Sequence, residues 1–111
     1  MHTSQNQNII QALIECAAAC DHCFDACLQE QDVKMMEACI RLDRDCADIC
    51  RLAASALTRN SPASQALLRA CAEICKACGD ECEKHGHMQH CQECAASCRR
   101  CEEACRSAVQ S

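Results

Sequence analysis

Sixteen of the 111 residues are cysteine, and nearly all recur at steps of three or four. Cys16, Cys20, Cys23 and Cys27 form one run, and Cys71, Cys75, Cys78 and Cys82 repeat its spacing. Cys91, Cys94, Cys98, Cys101 and Cys105 form another; Cys39, Cys46 and Cys50 form a sparser one. At about 100° per residue, each run collapses onto one side of a helix, within a sector of roughly 40 to 80°. Thiols occupy the stripe where a helical bundle normally carries leucine. The inward surface of such a fold is sulfur, and sulfur surfaces bind soft metal ions.

Conventional core material is thin: one Phe, no Trp and no Tyr. Cysteine packs as a small hydrophobe, so a folded state without metal remains open to the chain. Two Gly and one Pro indicate a helical chain with few breaks, not a turn-rich disulfide scaffold. The length suits one domain spanning residues 1–111. A net charge of −5 and the lack of stacking aromatics argue against nucleic-acid binding. Met1 to Asn8 carries no Lys or Arg, and the apolar stretch after it is broken by Glu15. The expectation is a cytoplasmic protein with no membrane span. Thiols are mostly reduced in that compartment, and dense cysteine there reads as metal binding.

Four helical segments are legible. The first runs from about Gln5 to Gln29. Asp32 is the N-cap expected for the second, from about Val33 to Thr58. Asn60-Ser61-Pro62 starts the third, with Ser61 as cap and Pro62 in the first turn. It runs to about Lys84, where Gly86 can supply a left-handed C-terminal residue. The fourth spans about Met88 to Ala108. Short loops favour an antiparallel up-down-up-down four-helix bundle with a cysteine-lined core, an all-α fold. The first and third helices share one cysteine spacing, a weak internal repeat. This topology gathers Ile10, Leu13, Ile14, Leu57, Leu67, Leu68 and Val109 into an apolar plug at one end.

The opposite end carries other soft or borderline ligands. Met35 lies four residues before Cys39 with Met36 beside it; His85 lies three after Cys82, and His87 four before Cys91. His90 falls near the edge of its stripe. Thioether and imidazole rank after thiolate for soft metals, so this end looks like a mouth that passes metal to the thiols. The plainer reading makes them loop polars and a Met pair filling a bundle end. His22 points about 120° from Cys16 and belongs to a flank or the surface. Asp43 falls on the stripe between Cys39 and Cys46; it either enters a polar core or turns out to pair with Arg41 or Arg44.

Among metals, Cu(I) suits bridging thiolates at low coordination number. Each thiolate that binds loses a proton, so one Cu(I) per thiolate leaves the core neutral. Zinc prefers separate four-sulfur sites, each leaving two excess negative charges in a core with no inward Lys or Arg. Iron–sulfur motifs sit on loops or end in Cys-Pro, and Pro62 follows no cysteine. No residue stands out as a nucleophile, and no enzyme is expected. A metallothionein-like Zn/Cd buffer remains the alternative, and the expected protein partner is a copper chaperone or an apo-cuproenzyme.

The chain resembles the cytosolic class of bacterial copper storage proteins. The likeness is carried by the segment from Cys39 through Leu42, Asp43 and Asp45 to Cys46, Asp48 and Cys50. The stretch Cys20-Asp21-His22-Cys23-Phe24 and the run Cys82-Glu83-Lys84-His85-Gly86-His87 leading to Cys91 add to it. The resemblance implies thiolate-bridged copper in the core, His and Met ligands near the open end, and a homotetramer of bundles.

Overall fold

A computed structural model describes residues 4–109, with the side chains of Ser4 and Gln5 left aside. Met1 to Thr3, part of the N-terminal stretch considered above, lie outside the described residues. Four helices follow in order: α1 (Ser4–Leu28), α2 (Glu37–Thr58), α3 (Ser64–Glu83) and α4 (Gln89–Ala108), with a short 3-10 helix at Val33–Met36 before α2. Each helix packs on its neighbour in sequence, and α1 closes against α4. The extents of 47 × 20 × 19 Å are those of helices about 10 Å wide packed two by two. This is the antiparallel up-down-up-down bundle expected from the sequence.

All sixteen cysteines are buried, together with small residues that let the helices approach closely: Ala17, Ala47, Ala53, Ala72 and Ala95. The apolar plug is built from Ile9, Leu13, Leu57 and Leu68, with Ile10, Leu67 and Val109 packed against it. Ile14 departs from the expected plug and is half exposed. It follows the fully buried Leu13, and one residue turns a helix by about 100°. Ile9, Leu13 and Cys16 keep the four-three step instead.

Two capping expectations are corrected. The left-handed residue is Asn60, at φ 54°, and neither Gly86 nor any other described glycine has positive φ. Asn60 N–H donates to Leu57 and Ser61 N–H to Ala56, a paired closure that satisfies the last carbonyls of α2. Gly86 needs no such turn, because Lys84 and His85 end α3 with tight bonds three residues back. Ser61 does not cap α3 directly: the helix starts at Ser64, and the Ser61 hydroxyl accepts from Ala63 N–H. Asp32 does cap, accepting from Met35 N–H, but the turn it caps is 3-10.

Ion pairs lace the outside. Arg51 bonds Asp21 at 2.8 Å between α2 and α1, and Arg99 bonds Asp80 and Glu83 at 2.7 and 2.8 Å between α4 and α3. Arg99 lies so close over Gly79 that a Cβ there would meet its guanidinium at 2.9 Å. Exposed pairs contribute about 0–1 kcal/mol each, so the sulfur and alanine interior dominates the packing. Among the described residues no helix is long and apolar enough to cross a membrane.

Candidate metal centre

The cysteine steps of three and four place each sulfur about one turn above the last, and four such ladders face one axis. Along α4 alone, Cys91 to Cys105 spans about 21 Å at 1.5 Å per residue. Across the axis the sulfurs meet: Cys39 and Cys82 lie 3.5 Å apart, Cys46 and Cys75 3.6 Å, Cys50 and Cys71 3.6 Å, and Cys16 and Cys46 3.9 Å. A disulfide needs about 2.05 Å, so these are thiols in contact, and all sixteen are free. A metal bonded to sulfur at about 2.3 Å in a tetrahedron separates its sulfurs by about 3.7 Å. The closest sulfur pairs across the axis lie near that spacing.

The groups of four overlap. Cys16, Cys46, Cys50 and Cys75 form one; Cys16, Cys20, Cys46 and Cys98 a second; Cys20, Cys78, Cys94 and Cys98 a third; Cys50, Cys71, Cys75 and Cys101 a fourth. Cys16, Cys20, Cys46, Cys50, Cys75 and Cys98 each belong to two groups. Separate mononuclear sites cannot all be filled at once, whereas bridging thiolates can serve adjacent ions.

Charge points the same way. Among the described residues the buried polar or charged side chains are Asp43 and His85, so no Lys or Arg lies in the core to offset thiolates. Burial pushes the Cys27 thiol up to about 12 and raises Cys91 as well. Hydrogen bonding from Cys23 lowers Cys82, and from Cys101 lowers Cys71. A monovalent ion that replaces each thiol proton keeps such a core neutral.

Asp43 enters the core. Its Oδ1 accepts from the thiols of Cys78 at 3.3 Å, Cys94 at 3.4 Å and Cys82 at 3.8 Å, and its Oδ2 from Cys39 at 3.7 Å. Burial first, then the nearby Cys94 and Cys39 sulfurs, pushes its carboxyl up to about 9.

At the mouth the sequence-based set divides. Met36 is fully buried, but Met35 is 52% exposed and turns away from the sulfur column. The cause is the 3-10 turn before α2, which breaks the 100° phase that would have carried Met35 onto the stripe. His87 is exposed, while His90, placed only at the stripe edge by its spacing, reaches inward. His90 Nδ1 lies 3.3 Å from Cys23 Sγ and 3.6 Å from Cys91 Sγ. Cys23, Cys27, His90 and Cys91 form a three-sulfur, one-nitrogen group. His85 is buried, with Nε2 3.1 Å from the Glu81 carboxylate. His22 is exposed, as expected. Sequence spacing missed Glu30 and Glu81, which face the two histidines, and Met88, which packs on the core at this end. Their signal was positional only: Glu81 four residues before His85, and Glu30 three after Cys27.

A helical bundle lined by overlapping soft-ligand groups is a multi-ion metal-binding protein. The chain matches the family described as "Copper storage protein" over residues 2–110, and it belongs to that family. An uncharacterized cysteine-rich protein, YhjQ, of Bacillus subtilis (strain 168) is 52% identical over 86 residues, 78% of this chain and 79% of that protein. The Cu(I)-bound copper storage protein BsCsp3 is similar in structure at a TM-score of 0.92 and 47% identity, covering 96% of this chain and 100% of that one. A cytosolic copper storage protein from Streptomyces lividans, loaded with five coppers, aligns at a TM-score of 0.90 and 44% identity, over 93% and 90% of the two chains.

Proposed function

We propose that this chain stores Cu(I) in the cytosol, and so limits its toxicity, by holding many ions on bridging core thiolates. The observation that carries the reading is the sharing of six sulfurs between neighbouring four-sulfur groups. Copper arrives at the end built from Met36, His85, His90 and the Cys23–Cys27–Cys91 triad. It then moves inward from sulfur to sulfur, since a bridging thiolate can form a new Cu–S bond before the old one breaks. Loading and release follow binding equilibria, and no catalytic step is part of the reading. Cytosolic residence is supported by the Streptomyces relative described as cytosolic.

A homotetramer of bundles belongs to the same proposal. Ile14 and Leu52, half exposed on α1 and α2, offer apolar surface for it, and native mass spectrometry reads the assembly directly.

The decisive experiment is an anaerobic titration of reduced protein with Cu(I) against a competing Cu(I) chelator. Storage on bridging thiolates predicts saturation at about one ion per cysteine. A plateau at one or two ions would leave most thiols as packing and sink the proposal.

A further inference from the structure

The outermost metal group differs from the rest of the column in containing an imidazole, and that imidazole is held from behind. His90 Nε2 lies 3.0 Å from Glu30 Oε2, while Nδ1 faces Cys23 and Cys91. An ionised carboxylate offers only acceptors, so the proton in the first contact belongs to Nε2. In the neutral ring Nδ1 then carries the lone pair, aimed at the triad. Glu30 is itself anchored: its backbone N–H donates to the carbonyl of Cys27 at 3.2 Å, one turn past a member of the same group. His90 is 13% exposed and Glu30 32%, so the contact is sheltered mainly on the imidazole side.

We propose that Glu30 is a positioning residue for copper uptake, holding the His90 ring by its Nε2–H so that Nδ1 stays against Cys23 and Cys91. The inference rests on the reading of His90 as a mouth ligand, and it adds a residue outside the soft-ligand set. Glu30 acts through distance and direction: it comes from the α1–α2 connection and reaches across to α4, so the ring cannot turn without breaking a bond between two separate elements. Glu81 holds His85 from one turn back on the same stretch of chain, which ties no second element.

Three variants test it: Glu30→Ala, Glu30→Gln and His90→Ala, with the double variant E30A/H90A. In the reduced protein without copper, proton NMR should show a slowly exchanging His90 Nε2–H in wild type and E30Q, lost in E30A. Gln keeps a carbonyl acceptor, so E30Q should largely rescue uptake of the first Cu(I) equivalent, whereas E30A should slow it on the order of tenfold. Adding E30A to H90A should change nothing further, because Glu30 works only through the ring. An E30A protein that keeps the Nε2–H signal, or additive losses in the double variant, would overturn the role of Glu30. H90A loading at the wild-type rate would overturn the ligand reading beneath it, leaving the apo hydrogen bond as a separate result.

Discussion

Asp43 Oδ1 receives the Cys78 thiol at 3.3 Å in the centre of the bundle, where neither residue is reached by solvent. Burial holds this carboxyl up to about 9, so at neutral pH the apo fold keeps it protonated while the unfolded chain does not. A raised carboxyl stabilises the fold fully below its unfolded value near 3.8. That contribution is lost as pH climbs through the folded value. Asp43→Asn, which mimics the protonated form, should match wild-type apo stability near pH 4. At pH 8 it should exceed wild type by on the order of a few kcal/mol. Thermal melts of both proteins from pH 4 to 9 read the divergence; parallel curves would mean that Asp43 is ionised throughout.

Met36 and Met35 should separate cleanly, since one is buried at the mouth and the other is in solvent. Replacing Met36 or His90 with alanine should slow loading from a chelated Cu(I) donor several-fold and leave capacity within about one or two ions of wild type. Met35→Ala and His87→Ala should load as wild type does. Stopped-flow absorbance of Cu–thiolate formation follows all four. A slow M35A protein would place the way in on the outer surface of the 3-10 turn.

The contrast between these methionines shows where sequence reasoning stops. The sulfur column follows from the three-and-four spacing, because an unbroken α-helix fixes angle by residue number, and the order of the bundle follows from its short loops. Cys16 to Cys27 and Cys91 to Cys105 lie inside such helices, and all are buried. The mouth lies where helices begin and end. There a 3-10 turn moves Met35 outward, and the α3–α4 connection leaves His87 exposed while His90, at the start of α4, turns in. The partners Glu30 and Glu81 carry no ligand signal and matter only through contacts that spacing cannot show. Asp43 was balanced between core and solvent on the sequence, since position put it inside and charge put it outside. Four surrounding thiol donors resolve the conflict.

Cys50 touches four other sulfurs: Cys71 at 3.6 Å, Cys101 at 3.8 Å, and Cys46 and Cys75 at 3.9 Å. If thiolates bridge, one sulfur serves more than one ion. Cys50→Ser should then lower the Cu(I) capacity by more than one per chain while the apo fold stays helical by circular dichroism. Loss of a single ion or none would fit isolated terminal thiolates instead.

The plug should matter to the fold and not to the metal. Leu13 and Leu68 are essentially unexposed and close the end away from the mouth. Leu13→Ala should cost about 2–5 kcal/mol of apo stability through lost burial and a residual cavity. In denaturant titrations the copper-loaded variant should unfold at higher denaturant than the apo variant, by the amount that copper prefers the folded sulfur column to the unfolded thiols. Capacity at saturation should equal that of wild type; a proportionate fall would mean that the plug also shapes the sulfur column.

Proton release distinguishes a neutral copper core from a charged one. Most core thiols, such as Cys27 at about 12, hold their protons at neutral pH because burial disfavours the thiolate. No buried Lys or Arg lies among the described residues to stabilise the anion. Each Cu(I) that binds must therefore displace a proton, and the core stays neutral as it fills. A pH-stat titration near pH 7 should release about one proton per copper across most of the loading curve. The affinity of those sites should rise about tenfold per pH unit while their thiols remain protonated. Cys16, Cys46, Cys71, Cys82 and Cys94, whose surroundings favour the thiolate, should give the smallest proton yield. Release well below one proton per ion throughout would mean that the column is already anionic before metal arrives, and the charge argument for Cu(I) over a divalent ion would fail with it.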